Sequence, residues 1–333
     1  MNETLRNKLD LFAENKEIIA KGFKWDNSFL YPACSLIYTN KGLQADVERL
    51  KHCCDIIKRN TGAFSSFRGI AKLALATNLS IEENPDEMFE RYIKAHDCLK
   101  GLFGLSASTY LPFAAAVMAK LSSSDEYEYT AEKAGRIFKL IKQDHPILTS
   151  GEDAAYAVLF ALGNVWGNAS EAAAEVERCY QKIKALCFSS NSIQSLALVL
   201  ALSPENSDIK CSRTLELFNA FKENGHKYGT GYELSSLGIL ATSIRELQPV
   251  VHEICQADDY LKEWKGFSNF RFGAKMRLMY ASVLTASEYS MNADACLTNT
   301  VNSVTSMVIA QQAALMSAVV ASSAAASASS SSS

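Results

Sequence analysis

Apolar residues fall along this chain in two alternating textures. One is short and apolar at nearly every position: FLYPACSLIY from Phe29, GIAKLALATN from Gly69, YLPFAAAVMA from Tyr110, AAYAVLFALG from Ala154, QSLALVLALS from Gln194, SSLGILATSI from Ser235 and RLMYASVLTA from Arg277. From Gly69 onward these stretches begin 41, 44, 40, 41 and 42 residues apart. The other texture is longer and amphipathic, as in DVERLKHCCDIIK, DEMFERYIKAHDCLK and AEKAGRIFKLIK, and each segment ends in lysine. Those lysines, Lys58, Lys100, Lys142, Lys184, Lys222 and Lys262, are spaced 42, 42, 42, 38 and 40 residues apart. Apolar residues at i, i+3, i+4 and i+7 with charges between them describe a helix with one wet face. The first texture has no wet face, so its helices need cover on most sides.

Two series with one shared period near 40 residues are the signature of a helical-hairpin array. The pattern predicts an all-α fold of six to seven antiparallel hairpins, each an apolar helix followed by an amphipathic one, with about fifteen helices and almost no strand. An opening helix is expected at roughly 4–20. The array is either a curved α-solenoid or a closed α/α toroid; short, uniform units with wholly apolar first helices favour closure. Repeats grow by adding units, so the 333 residues need not divide into two domains. Residues 1–322 are expected to form one repeat domain, with 323–333 a disordered Ala/Ser tail. Pro85-Asp86-Glu87 and Ser170-Glu171 read as starts of amphipathic helices, and a lysine in each last turn suits the negative helix end.

Composition narrows the function classes. Six prolines and sixteen glycines are too few for a turn-rich β fold, and a net charge of −3 offers nothing to attract nucleic acid or acidic lipid. The amphipathic start, with Glu3 and Asp10, does not read as a secretion signal. Nine scattered cysteines with no C-x-x-C pair read as reduced thiols in a cytoplasmic protein. Residues 295–333 carry no charge. Their run TNTVNSVTSMVIAQQAALMSAVV reads as a helix docked on the array, not a membrane span, because Gln311 and Gln312 interrupt it and no basic residue flanks it.

One short phrase occurs twice: FSSFRG at 64–69 and FSNFRFG at 267–273. Both copies lie in loops that follow an amphipathic helix and open an apolar one, so they are expected at the same place in the unit. Equivalent loops of an array share a rim. That rim gathers the candidate ligand-binding residues Arg68, Arg271, Tyr110, Tyr232, Asn191 and Gln194, and the candidate catalytic carboxylates Glu152, Asp153 and Glu233. Helix N-termini on the same rim favour anions, so an anionic ligand on Arg68 and Arg271, or an acid–base pair of carboxylates acting on a sugar-like one, would sit here. The structural reading of the same residues is that the acids cap helices and the arginines tie loops together.

Other chemistry finds little support. YGTGYE and GNVWGN lack the spacing and preceding strand of a nucleotide-binding loop, and no cofactor is implied. His145, Cys187 and His226 occupy successive loops, but a zinc ion needs ligands within about 2 Å, and loops a helix diameter apart cannot supply them without strong curvature. Two function classes remain. One is a protein-interaction module; the other is a toroidal ligand-binding protein or enzyme that uses the rim.

The FSSFRG stretch with its Ala/Leu-rich helix, together with the uncharged ending QQAALMSAVVASSAAASAS, resembles an uncharacterised family of all-helical proteins from Gram-positive bacteria, known only as a domain of unknown function. The resemblance implies a soluble bacterial protein and carries over no activity, cofactor or site residue.

Overall fold

The computed structural model describes residues 1–24, 28–104, 108–163, 165–186, 189–244, 246–270 and 272–290. Among these there are fourteen α-helices and no strand. They are α1 (Glu3–Gly22), α2 (Leu30–Asn40), α3 (Val47–Arg59), α4 (Lys72–Ser80), α5 (Pro85–Leu99), α6 (Leu111–Leu121), α7 (Tyr127–Asp144), α8 (Ala154–Gly163), α9 (Ala169–Ile183), α10 (Ser190–Ala201), α11 (Ser207–Glu223), α12 (Leu234–Ser243), α13 (Leu247–Glu263) and α14 (Ala274–Ser290). The expected uncharged C-terminal helix and tail lie outside the described residues. No helix among the described residues is long and apolar enough to cross a membrane.

The two textures take different places. The even-numbered helices are buried nearly all round: every residue from Leu111 to Ala119 of α6 and from Ser192 to Ala201 of α10 is buried. The odd-numbered helices bury one stripe, as α3 does with Leu50, Cys53, Cys54, Ile56 and Ile57. Each odd helix packs most closely on the even helix that follows it, across the loop of the FSSFRG type. The tight pair is therefore amphipathic-then-apolar, the reverse of the unit read from the sequence. Starts also differ in detail, since α9 is capped by Asn168, whose side chain accepts from Glu171 N, and not by Ser170.

Even helices pack sideways on even ones: α2 on α4, α4 on α6, α6 on α8, α10 on α12 and α12 on α14. At α8 the sideways contact is made by the loop that follows it, whose Trp166 Nε1 donates to Ala201 O at the end of α10 at 2.8 Å. The last pair meets the first. Helix α14 packs on α2, and α13 and α14 pack on α1. Lys8 Nζ reaches Ser287 Oγ (2.6 Å) and Glu288 Oε1 (2.7 Å), Tyr260 donates to Asp10 Oδ1 (2.6 Å), and the Phe12 ring lies 5.7 Å from Phe267 and 5.2 Å from Tyr280.

Two repeated devices hold neighbours together. After an odd helix, a ring turns inward onto the next odd helix. Phe67 meets Phe89 and His96 of α5, Phe103 meets Phe138 of α7, His145 meets Tyr180 of α9, and Phe267 meets Phe12 of α1. The paired phrase uses this device in two registers. Phe67 is buried and Phe64 exposed in the first copy, whereas Phe267 is buried and Phe270 exposed in the second. The copies share letters but not positions, which corrects the expectation of strict equivalence.

The second device caps carbonyl ends. The last carbonyls of an α-helix have no partner within the helix and carry partial negative charge. Arg49 Nε donates to Ser80 O (2.6 Å), Arg91 Nη2 to Ser122 O (2.8 Å), Lys133 Nζ to Ala161 O (3.0 Å) and Arg213 Nη1 to Ala241 O (2.6 Å). Arg49, Arg91 and Lys133 lie 42 residues apart, and the next step of 42 reaches Glu175, an acid where a cation belongs. Lys210 of α11 replaces the missing charge: fully buried, it bonds both Ser203 O (2.8 Å) and Glu175 Oε1 (2.7 Å).

Removing Lys210 leaves the buried Glu175 carboxylate with the half-exposed Arg178 as its charge partner, and losing one partner of a buried ion pair is costly. Lys210→Met is expected to destabilise the protein by about 3–5 kcal/mol, and Lys210→Met with Glu175→Leu to recover most of that loss. Urea unfolding of the three proteins checks it.

Candidate functional site

The starts of the even helices lie opposite the capped carbonyl ends. At α8 the loop writes Ser150-Gly151-Glu152-Asp153, a Ser-x-x-Asp capping box folded as one 3₁₀ turn. Asp153 Oδ2 accepts from Ser150 N at 3.0 Å. Its other oxygen, Oδ1, is buried without a hydrogen-bond partner among the described residues. Burial pushes the carboxyl up to about 8, against the lowering effect of the Ser150 amide. Near neutral pH Asp153 is therefore a mostly protonated acid that can exchange its proton.

Around it stand other polar groups that sequence reasoning placed on the rim. Burial raises Glu152, and burial together with Glu152 raises Tyr110, which immediately precedes α6. Gln194 is buried in α10. Its Nε2 donates to Thr149 Oγ1 at 3.5 Å, and its Oε1 has no partner. Thr149 was not singled out in the sequence, although it immediately precedes a legible capping box. It is buried and bridges back to Ile141 O at 3.5 Å.

At the start of α12 the side chain of Glu233 folds back over its own loop. A Cβ at Gly229 would lie 2.5 Å from Glu233 Cδ, and one at Gly231 3.0 Å from its Oε2. The Gly-Thr-Gly of YGTGYE thus makes room for a carboxylate and does not cradle phosphate. Burial first, then Glu233, drives Tyr232 well above its ordinary range. Tyr280 of α14 is also driven up by burial, and Tyr232 adds to that shift. Tyr228 OH and Ser236 Oγ share a hydrogen bond of 2.7 Å beneath them.

Other candidates are placed elsewhere. Arg68 turns back on the end of α3, with Nε donating to Thr61 Oγ1 (3.1 Å) and Nη2 to Lys58 O and Thr61 O. It ties a loop, as the structural reading of the sequence had it. Asn191 is exposed. Arg271 and Cys187 lie outside the described residues. His145 lies on α9, with Nε2 2.6 Å from Glu177 Oε2, while His226 lies on α13, with Nδ1 3.0 Å from Asp258 Oδ2. The two imidazoles thus serve different helices. His226, Asp258 and Asp259 do bring ligand atoms within 4.8 Å of one another. Arg277, however, already engages both oxygens of Asp258, at 2.8 and 3.2 Å, so this cluster is a salt-bridge network and does not fit a metal ion.

The raised Asp153 carboxyl has a consequence for stability. Its ordinary value is 3.8, and in the fold it is about 8. Folding favours the protonated form, so its contribution is complete below about pH 4 and is lost as pH rises to about 8. Asp153→Asn has no proton to lose. The stability of this variant relative to wild type is expected to grow between pH 4 and 8, by an amount on the order of several kcal/mol, and then level off. Urea unfolding of both proteins across that range measures it; a constant difference would mean that Asp153 titrates as an ordinary carboxylate.

No curated protein and no solved structure matches this chain. One family model does, over residues 15–313, from within α1 to beyond α14. With that span matched, the chain belongs to the family described as "Protein of unknown function (DUF4003)".

Proposed function

We propose that the seven helix pairs close into one α/α toroid of two concentric rings. In this reading, the end where the even helices begin binds a small, neutral, hydroxyl-bearing molecule. Closure is supported by the seam, where α14 packs on α2 and α13 on α1. A single domain is supported by the family match, which runs across almost the whole array. A closed ring leaves no long concave arc for a protein partner, so a scaffold role is the weaker alternative.

The observation that carries the ligand reading is two buried side-chain oxygens, Asp153 Oδ1 and Gln194 Oε1, with no hydrogen-bond partner among the described residues. Buried polar atoms are nearly always hydrogen-bonded, and an exception calls for an explanation. Oδ2 accepts from Ser150 N, so the proton of Asp153 sits on Oδ1 and asks for an acceptor, while Gln194 Oε1 asks for a donor. A hydroxyl group serves both; an ionised anion brings acceptors alone, and Arg68 already spends its donors on α3. With its proton held near neutrality, Asp153 suits general-acid work. Glu152 and Glu233 are the carboxyl groups that could complete an acid–base pair.

In a thermal-shift screen of the purified protein, neutral sugars and polyols are expected to raise the melting temperature, whereas inorganic phosphate and dicarboxylates do not. A ligand at a hundred times its Kd adds about 2.7 kcal/mol. Asp153→Ala and Gln194→Ala should each remove the shift. A phosphate response that survives both substitutions and is lost in Arg68→Ala would overturn the reading. Closure has its own test: small-angle scattering should give a radius of gyration of about 20 Å, the value for a compact chain of this length, and an open arc would exceed it.

A further inference from the structure

A groove of about 740 Å³ opens between the loop joining α3 to α4 and the loop joining α5 to α6. That volume falls within the range of small-molecule sites. Glu152, Asp153, Gln194 and Glu233 take no part in its lining. The lining holds one ammonium group, one imidazole and four hydroxyl side chains, and no carboxylate among the described residues. Its apolar members are Phe64, Leu99, Phe103 and Leu111. Phe64 is fully exposed, at 104% of the reference area, because Phe67 three residues later fills the packing position under the loop. Gly101 and Gly104, with φ of 82° and 81°, turn the opposite wall sharply around the buried Phe103 and leave it open.

The imidazole and the ammonium group belong together. His96 and Lys100 are four residues apart at the end of α5, hence on one face and one turn from each other. Packing fixes the imidazole beside the Phe67 ring, with 5.1 Å between centroids. Burial lowers its pKa, so near neutral pH the ring is uncharged and Lys100 carries the charge. No acid neutralises that charge. Lys58, one repeat earlier, holds Asp55 three residues before it at 2.9 Å. Asp97 has the same spacing from Lys100 but turns to His96 Nδ1, a long contact of 3.8 Å. Lys100 makes no ion pair among the described residues. A cleft with one unpaired cation, several donors and no acid complements an anion. Ser66 lines one wall and Ser108 and Thr109 the other, so donors come from both sides. That suits the three terminal oxygens of a phosphoryl group better than the two of a carboxylate. The exposed Phe64 ring takes an apolar face as well, which inorganic phosphate lacks. We infer that the groove is a second ligand site, for a phosphate monoester on an aromatic body, with the phosphoryl group at Lys100 and His96 and the ring on Phe64. It stands apart from the carboxyl site and does not depend on it.

Calorimetric titration of the full-length protein with 1-naphthyl phosphate, 1-naphthol, 1-naphthoate and inorganic phosphate tests this. The ester should bind about tenfold or more tightly than each of the other three, which lack the charge, the phosphoryl group or the ring. Lys100→Gln should erase the advantage over naphthol, and Phe64→Ala the advantage over inorganic phosphate. Both positions are exposed, and an unchanged circular dichroism spectrum shows that each variant is folded. Asp153→Ala should leave the ester's affinity as it was. An ester that binds no better than naphthol, or that ignores Lys100→Gln, overturns the anion site. Indifference to Phe64→Ala overturns the stacked ring, and naphthoate binding as tightly as the ester overturns the phosphoryl group. Loss of the ester in Asp153→Ala overturns a separate groove and moves the ligand to the carboxyl site. No binding by any of the four overturns the groove and leaves the carboxyl site, whose own ligands are neutral, untouched.

Discussion

A helix that is apolar on nearly every face cannot stand at the surface, and among the described residues the seven even-numbered helices are buried along most of their length. Their burial dictates the rest of the architecture. Each must be covered by its amphipathic partner on one side and by its even-numbered neighbours on the others, which is how α6 and α10 come to bury almost every residue. An open row of such pairs would leave α2 and α14 each with a bare flank. Contact between them removes both flanks at once, and α1 seals the joint by placing Phe12 against Phe267 and Tyr280. The seam is thus a demand of hydrophobic cover, with Lys8–Glu288 and Tyr260–Asp10 fixing its register.

A layer of largely apolar helices collects its charged groups at its two ends, and the ends differ as the helix dipole predicts. Long cations from the odd helices reach the carbonyl ends, and carboxyl groups collect at the amide ends. At the carbonyl end a cation meets α4, α6, α8, α10 and α12. At the amide end, burial works against such pairing: Asp153 sits where a carboxylate should be favoured, yet it is buried deeply enough to hold a proton up to about pH 8. A polar group kept under conditions unfavourable to its charge is what a proton-transfer or binding site requires and a helix cap does not.

The repeat, the helix types and most boundaries were legible because period and pattern are local. Where boundaries moved, a short-range cap was responsible. Ser189 starts α10 before the apolar run does, and the turn at Ser66–Arg68 delays α4 to Lys72. The seam was not legible, because Lys8 and Glu288 are separated by nearly the whole chain and no periodic signal links them. Of the rim residues, Glu152, Asp153, Gln194, Tyr110, Tyr232 and Glu233 could be named from their loops, but which of them would be buried could not. Nor could the fate of Arg68, which lies in an equivalent loop and spends its donors on the end of α3 and the turn after it. The mid-helix series Arg49, Arg91 and Lys133 was readable and stronger than the terminal lysines, yet its meaning depends on carbonyls a helix away.

A repeat protein carries its own controls, because each position has siblings that show what the fold alone requires. Glu175 breaks the cation series, and the fold answers with Lys210, buried beside it and bonded to the same carbonyl end. Such a departure, once compensated, is drift within the architecture. Asp153 and Gln194 are buried polar groups of another kind, because nothing in the described structure answers Asp153 Oδ1 or Gln194 Oε1. Tyr92 OH and Thr285 Oγ1 are unanswered too, but Asp153 Oδ1 is the one among these that belongs to a carboxyl group, the costliest of them to bury. Selection for stability alone gives no reason to keep it there.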